Sequence, residues 1–457
     1  HYVETKTAHA NGLLFYRVGD FYELFFDDAV EAARVLGLAC TSRQVHQGEA
    51  IPMAGVPHHA LDGYIDQALD QGIQVIVVDQ VEDPAQAKGI VKRAVTRIET
   101  PGTVIREEDP DPVFVAAIAA PKKRKERWGF AAMDVGCADF RCTAFDTLPE
   151  ALEELRRLGV CELLIPEGFE LPHGAFDGAE VAVEEGWFAR RAAPAFIKKF
   201  LGVKDLAAFG VDGARDRLAA AAALARYVQA IRIDSVAFVT VLRSYEREDR
   251  LHLDASTLRN LEVFTTLAGA RQGSLFHAVD RTQTAGGKRA LIEALRAPLC
   301  EAGPIEERLD RTEAFVHEGL MRDQVRQALA AVVDLERLAS RLALGGGNPR
   351  QLKQLAQSIL AMPLLADHLN AHAQLGAWFR ATWSTLAGGA SGLDVLGHYL
   401  NEALVERPPV RRGDGDSIAE GFDETLDRAR DLARRLASLY DVYGVFRICD
   451  IRDIPDT

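Results

Sequence analysis

The stretch from Leu13 to Phe25 constrains the fold of this chain more than any other. It reads Leu-Leu-Phe-Tyr-Arg-Val-Gly-Asp-Phe-Tyr-Glu-Leu-Phe, two apolar runs that flank the pair Gly19-Asp20. A Gly-Asp pair in this setting is a strong β-hairpin signal. Because residues two apart in a strand share a face, Phe21 and Glu23 point one way and Tyr22 points the other. If Tyr22 faces the core, an aromatic ring and a carboxylate stand side by side on the outer face.

This segment resembles the mismatch-recognition domain of the MutS family of DNA mismatch-repair proteins, whose hallmark is a Phe-x-Glu inside Gly-Asp-Phe-Tyr-Glu-Leu-Phe. The resemblance continues, in order and at family-like spacing, through Ile51-Pro-Met-Ala-Gly-Val-Pro-His58, Asp83-Pro84, Lys88-Gly89 and Thr100-Pro-Gly-Thr103. A lone Phe-x-Glu would carry no weight, but the whole series is specific. The sequence departs from common family patterns at Asp79, where Glu is usual, and at Glu82, where Gly is usual.

Length and composition indicate a multidomain globular protein. A chain of 457 residues is too long for one ordinary core, and 48% hydrophobic with 26% charged residues are globular values. Six cysteines without a Cys-x-x-Cys pair favour reduced cytosolic thiols over disulfides or a zinc site. No apolar run is long enough for a membrane span and no secretory signal is visible, so we expect a cytoplasmic protein. Since the chain starts at His1, we also expect a piece of a longer protein.

The charge balance bears on how the chain would meet nucleic acid. A net charge of −14 argues against indiscriminate duplex binding, because phosphate contacts need Lys and Arg. The run Gln86–Arg97 carries bases and no acid, so one surface can still be basic. We expect weak, strongly salt-dependent binding to perfect duplex.

The resemblance and the element pattern together predict the architecture. We expect two N-terminal α/β domains, a mixed-sheet recognition domain and a ribonuclease-H-like connector, followed by an all-α core and the start of a helical clamp. The predicted boundaries are residues 1–108 for recognition, 109–232 for the connector, 233–412 for the helical core or lever, and 413–457 for a truncated start of the clamp.

Local patterns add finer expectations. Met53 to Pro57 is a Gly/Pro-punctuated segment, and the basic run Lys122–Arg127 is a solvated hairpin tip. From about residue 235 the sequence is almost wholly helical, with Asp254 or Ser256 capping a helix that runs through Leu258, Leu261, Phe264 and Leu267. From Phe422 to Tyr443, apolar residues at heptad spacing predict a helix that packs against a partner helix.

Phe21 and Glu23 are the candidate sensors of a mispaired base. Opening a base step for an aromatic ring costs a few kcal/mol. Stacking a base on the ring returns about 1–3 kcal/mol, so the balance becomes favourable where a mismatch lowers the opening cost. Glu23 near phosphates is repelled unless it accepts a hydrogen bond from a base or, when protonated, donates one. The alternative readings are that Phe21 is a core residue and Glu23 a solvated carboxylate.

Basic residues and one methionine complete the candidate DNA-binding set. Arg97, just ahead of the Thr-Pro-Gly-Thr block, matches a basic position of the family pattern and has the most weight. The other candidate contacts are Arg17, Arg43, Lys88, Lys92, Arg93 and Met53. Each base could equally be a plain surface charge. Gly55 and His58, close to Met53, could let the backbone approach the groove, but a tight turn explains them equally well.

The sequence offers no catalytic or metal site. The family is known for an ATPase, but the only Gly-Lys pair, Gly287-Lys288, lacks the first glycine and the hydroxyl of a phosphate-binding loop and reads as a helix turn. We therefore expect no cofactor in this chain, with ATP and magnesium bound only by a C-terminal ATPase domain. A metal-dependent nuclease using Asp134 and Asp139 is a remote alternative, and a scaffold module with protein contacts only is the closer one.

The resemblance also implies partners. These are double-stranded DNA with mismatches or small loops, a second subunit in the full-length dimer, and downstream repair proteins. We expect the fragment itself to be largely monomeric and poor at holding DNA.

Overall fold

The computed structural model describes residues 1–9, 11–46, 49–82, 92–105, 111–231, 238–246, 250–343, 346–370, 372–387, 391–410 and 415–443. The chain divides into two compact units, His1–Ser274 and Leu275–Thr457. The first holds two mixed sheets with helices and the second is helical, which confirms the predicted fold class. Among the described residues, no helix has the length and apolarity needed to cross a membrane.

The first sheet is mixed. Its elements, with the helices that accompany them, are α1 (Tyr2–Ala8), β1 (Leu13–Val18), β2 (Phe21–Phe25), α2 (Asp27–Leu36), β3 (Thr41–His46), β4 (Glu49–Pro57), α3 (Leu61–Asp70), β5 (Val75–Gln80) and β6 (Arg93–Glu99). The strand order is β3-β4-β2-β1-β5-β6. Only β1 and β5 run parallel; the other neighbours are antiparallel. The short β-branched run that ends at Val78 forms the buried part of β5, and Gly37 ends α2 in the left-handed region at φ 67°.

The Gly/Pro-punctuated segment Met53–Pro57 lies in a regular strand. It belongs to β4 and pairs along its whole length with β2, from Met53 opposite Phe25 to Pro57 opposite Phe21. Pro57 is the last residue of the strand. The tight-turn interpretation of Gly55 is therefore wrong.

Both faces of the first sheet are covered in part. Helices α2 and α3 bury one face, where Phe15, Tyr22 and Leu24 pack against residues such as Leu61. On the other face, the β1 and β5 side chains join a separate core that contains residues of the second sheet and its helix α6 (Arg215–Ile231). Strand β2 lies beside β1 on this second face and keeps part of its surface exposed.

The second sheet is an antiparallel meander extended by parallel strands, as expected for a ribonuclease-H-like connector. Its other elements are β7 (Phe114–Ala119), β8 (Trp128–Asp134), β9 (Asp139–Phe145), α4 (Leu148–Leu158), β10 (Val160–Pro166), β11 (Ala179–Val183), α5 (Ala193–Leu201) and β12 (Arg243–Ser244). The order is β11-β10-β7-β8-β9-β12. Alanine-rich α6 approaches β8 so closely that a Cβ on Gly129 would lie 1.9 Å from the carbonyl oxygen of Asp216.

The predicted tip Lys122–Arg127 does connect antiparallel β7 and β8. Its middle residues are exposed, while Lys122 pairs with Glu185 and Arg127 with Asp146. The hairpin-tip prediction is confirmed.

The block Thr100-Pro-Gly-Thr103 packs against the second sheet. The Gly102 N–H donates to Oε2 of the fully buried Glu162 over 2.7 Å, and the Tyr227 hydroxyl of α6 donates to Oε1 of the same carboxyl. A Cβ on Gly102 would lie 2.7 Å from Cβ of Val115 and 2.8 Å from Cβ of Glu162. The glycine is thus required by packing.

Two expectations for the region after residue 235 are wrong. Strand β12 lies there and pairs in parallel with β9. Asp254 does cap a helix, accepting from the Thr257 N–H over 2.6 Å, but this helix, α7 (Ala255–Asn260), ends before Leu261. Glu262 adopts φ 50° and its carboxylate accepts from the Leu267 N–H, which replaces the expected helix by a turn.

The second unit is built from helices. These are α8 (Leu275–Val279), α9 (Ala285–Arg296), α10 (Ala302–His317), α11 (Gly319–Ala330), α12 (Leu335–Ala343), α13 (Pro349–Leu369), α14 (Ala373–Ala387), α15 (Ser391–Ala403) and α16 (Glu424–Tyr443). One core joins α10, α11, α13 and α14. Gly287-Lys288 lies in the first turn of α9, as predicted, and Gly287 N–H binds the capping Thr284. In α16, Ala433 is buried whereas Leu432 and Leu436 are exposed, so the partner helix stays a prediction.

We predict that Gly102→Ala lowers the free energy of unfolding by about 1–3 kcal/mol, because the added methyl overpacks a closed site. Gly63→Ala is the matched control, since Gly63 lies in α3 with no atom within 4 Å of an added Cβ. Alanine in an exposed helix should be neutral or stabilising. Urea denaturation measures both, and equal stabilities of the two variants would contradict the packing requirement.

Burial raises the pKa of Glu162 above its ordinary 4.5, which makes stability depend on pH. A raised carboxyl pKa means that the folded state holds the proton more tightly than the unfolded state. This contribution is complete below pH 4.5 and is lost as pH rises through the folded pKa. The stability of the parent chain relative to Glu162→Gln should therefore fall as pH rises above 4.5, by at most about 1.4 kcal/mol per pH unit. Denaturation curves across this range test the slope, and a constant difference would contradict it.

Candidate nucleic-acid interface

The predicted hairpin is present, and its turn is Gly19-Asp20. Strands β1 and β2 pair antiparallel, with Val18 opposite Phe21 next to the turn. Gly19 adopts φ 59°, a left-handed conformation that glycine takes without a Cβ penalty. The backbone geometry of the turn therefore explains the glycine in this motif.

Hydrogen bonds from both sides brace this turn. The His58 N–H, just beyond β4, donates to the Asp20 carbonyl over 2.9 Å. Arg17 Nε donates to the Gly19 carbonyl over 2.5 Å, and Arg93 Nε donates to the Arg17 carbonyl over 2.9 Å. The hairpin end is thus held by groups from its own strand, from β6 and from the residue that follows β4.

Strand β2 divides its side chains as the alternation predicts. Tyr22 and Leu24 are buried in the core under α2 and α3, whereas the Phe21 side chain is 48% exposed. Glu23 is half-buried on the same face as Phe21. The interpretation of Phe21 as a core residue is therefore wrong.

The neighbours of this exposed pair are small or apolar. In antiparallel pairing, directly opposite residues share a face. Val18 and Pro57 flank Phe21, and Tyr16 and Gly55 flank Glu23. A Cβ on Gly55 would lie 3.7 Å from Cγ of Glu23, so the glycine leaves that side of the carboxylate open. Within the described ranges, Glu23 has no hydrogen-bond or ion-pair partner.

A second set of contacts lies on the buried face behind this pair. The Tyr22 hydroxyl donates to Oδ1 of Asp79 on β5, and the Thr96 hydroxyl on β6 donates to Oδ2. The Arg17 guanidinium lies 5.0 Å from the centroid of the Tyr22 ring. Burial and the bond to Asp79 raise the pKa of Tyr22 to about 12, so the hydroxyl remains a donor at neutral pH.

The structure does not bring the most heavily weighted base, Arg97, to the Phe21 face. Arg97 pairs with Val77, which belongs to the core under α2 and α3, and its guanidinium binds Asp62 at 3.0 Å and Glu99 at 2.6 Å. Arg17 shares that face with Tyr22. Contact of either arginine with DNA stays a prediction.

Two other predicted residues, Arg93 and Met53, do lie on the Phe21 face. The Arg93 guanidinium lies 5.3 Å from the centroid of the Tyr16 ring. Lys92 is exposed just before β6, and its backbone N–H donates to Glu82, one of the departures from the family pattern. Met53 is half-buried in β4. Lys88 and the side chain of Arg43 lie outside the described residues.

The acids of the nuclease alternative are engaged in the fold. Asp134 is buried and accepts from the Val113 N–H over 3.3 Å, and Asp139 forms an ion pair with Arg141. Among the described residues, no group of three or more His, Cys, Asp or Glu side chains could hold a metal ion.

Sequence reasoning missed the contacts of Tyr22. Its burial was expected, but its hydrogen-bond partner was not. In the sequence, Asp79 stands out only as a departure from the family pattern. The available signal is an acidic residue directly after an apolar strand run.

Comparisons with known proteins cover most of the chain. Models of MutS domain I, MutS domain II and MutS domain III match residues 1–108, 113–237 and 256–451. A protein named DNA mismatch repair protein MutS from Anaeromyxobacter sp. (strain Fw109-5) is 39% identical over 433 residues, 93% of this chain and 48% of the relative. One with the same name from Myxococcus xanthus (strain DK1622) is 36% identical over 436 residues, with the same coverage. The chain thus spans about half the length of these relatives.

Proposed function

The chain belongs to the MutS family of DNA mismatch-repair proteins, and on this premise we propose that it recognises mispaired or unpaired bases in double-stranded DNA. In this proposal Phe21 enters the duplex as a wedge at the deformed step and Glu23 contacts the displaced base. The observation that supports it most is the exposure of Phe21 beside the half-buried Glu23, on a strand whose intervening side chains, Tyr22 and Leu24, are buried.

The physical basis is a difference in opening cost. A ring that enters a well-paired step must first unstack it, for a few kcal/mol, and stacking on the ring returns about 1–3 kcal/mol. At a mismatch the first term falls while the second remains, so the net free energy favours the defect. The braced turn beside Phe21 supports this role, because a loosely held ring would lose entropy on insertion.

Glu23 adds selectivity by opposing binding to intact DNA. Its carboxylate is repelled by phosphates, and a base donor that is free only when the pair is disrupted offsets this repulsion. The open side at Gly55 gives such a base access to the carboxylate.

We also propose partners and a cellular location, on the basis of family membership. We expect the whole protein to act as a homodimer in the cytoplasm and to signal to downstream repair proteins. ATP and magnesium binding are expected of the half of the relatives' length that this chain does not span.

The first test is a titration of Phe21→Ala with homoduplex and with G·T or one-base-bulge duplex at two salt concentrations. Loss of stacking should lower the ratio of mismatch to homoduplex affinity about tenfold. Phe26→Ala is the matched control, because Phe26 is also an exposed aromatic, 40% accessible, but follows the end of β2. If Phe21→Ala keeps the parent ratio of mismatch to homoduplex affinity, the proposed insertion of Phe21 is wrong.

The second test separates the charge of Glu23 from its hydrogen bonding. Glu23→Ala should bind homoduplex more tightly and discriminate less, because repulsion and base contact both disappear. Glu23→Gln should also bind homoduplex more tightly but keep part of the discrimination, since its amide oxygen still accepts. The same titrations measure both variants. If Glu23→Ala keeps the parent ratio of mismatch to homoduplex affinity, the proposed role of Glu23 in selectivity is wrong.

A further inference from the structure

We propose that Tyr22 and Asp79 are positioning residues for the wedge. In this view the hydrogen bond from the Tyr22 hydroxyl to the Asp79 carboxylate fixes β2, so that Phe21 and Glu23 meet the duplex in one geometry. The inference rests on the proposed function, and it concerns residues on the face of the sheet opposite the DNA.

The contact spans much of the sheet. The strand order places β1 between β2 and β5, so the Tyr22 side chain on β2 crosses β1 to reach Asp79 on β5. Thr96 on β6 then donates to the second oxygen of the same carboxylate. A single carboxylate therefore links β2 to the two strands beyond β1.

Arg17 extends this link to the turn. Its guanidinium lies 5.0 Å from the centroid of the Tyr22 ring, within the range of a cation–π contact. Its Nε also donates to the Gly19 carbonyl. The residue that holds the ring of Tyr22 thus also holds the turn that precedes Phe21.

The position of Tyr22 in the chain explains why this link acts on the wedge. Tyr22 lies between Phe21 and Glu23, so a shift of its backbone displaces both side chains. An intercalating ring must meet a base step at a defined height and angle, and each loosely held residue adds an ordering cost on binding. Neither Tyr22 nor Asp79 needs to contact DNA for this effect.

The test is Tyr22→Phe in the 457-residue chain, which removes one hydroxyl and leaves the aromatic packing. The ratio of one-base-bulge to homoduplex affinity should fall by about threefold or more, the size of one net hydrogen bond. Fluorescence of 2-aminopurine next to the bulge should rise less on binding, because the base beside it is unstacked less completely.

Tyr245→Phe is the matched control. The Tyr245 hydroxyl also donates to a carboxylate, Glu154 Oε1 at 2.6 Å, but it lies just after β12 in the second sheet. This variant should lose stability in urea denaturation and keep the affinity ratio of the parent chain. A fall in the ratio for Tyr22→Phe alone supports the inference.

The possible outcomes distinguish a failure of this inference from a failure of the proposed function. The positioning role is overturned if Tyr22→Phe folds and keeps the affinity ratio of the parent chain, or if both tyrosine variants lower that ratio equally. Neither result contradicts the proposed insertion of Phe21. A parent chain that does not discriminate, with Phe21→Ala indistinguishable from it, overturns both. If Tyr22→Phe fails to fold, Asp79→Asn is judged by the same criteria.

Discussion

The proposed site depends on one constraint: the side chains of Tyr22 and Leu24, on one face of β2, are buried in the core. Burying a side chain the size of leucine contributes about 1.5–3 kcal/mol. A slip of one residue in the pairing of β2 would bury Phe21 and Glu23 and expose Leu24, so the core fixes the register. The outward direction of the ring and the carboxylate follows from what their neighbours bury. The same alternation thus produces both a well-packed core and an exposed Phe21 beside Glu23.

Alternation and capping were readable from the sequence because they are local. The period of two in Leu13–Phe25, the apolar run of β5 and the cap at Asp254 each depend on a few adjacent residues, and the structure contains all three. The end of α7 was not readable in this way. Apolar residues at helical spacing continue past Asn260, but the turn at Glu262 ends the helix regardless of that spacing.

Arg97 lies on the face of the first sheet opposite Phe21, and sequence spacing alone could not predict this. The reason is an irregularity in the pairing of β5 with β6. A bulge between Val77 and Val78 shifts the pairing, so that Val77 lies opposite Arg97 while Val78 lies opposite Val95. Such an irregularity changes which side chains share a face along the strand. Family likeness did not resolve this point either. The Thr-Pro-Gly-Thr block belongs to the same set of motifs, yet Gly102 is explained by its fit against Glu162 and Val115.

The disposition of the arginines bears on how an acidic chain could discriminate between duplexes. Arg17, Arg93 and Arg97 all make contacts within the protein, with backbone carbonyls, aromatic rings or carboxylates. Non-specific affinity for DNA comes from cations that neutralise phosphates, and these three arginines of the first sheet already have partners within the protein. For the proposed function, this disposition and the net charge of −14 favour a small sequence-independent part of the binding free energy. The cost of opening a base step would then be a larger share of the total, and a difference of a few kcal/mol in that cost would decide which duplex is bound. A more basic surface would bind more tightly and distinguish less, since the same ring would be held on sound and defective steps alike.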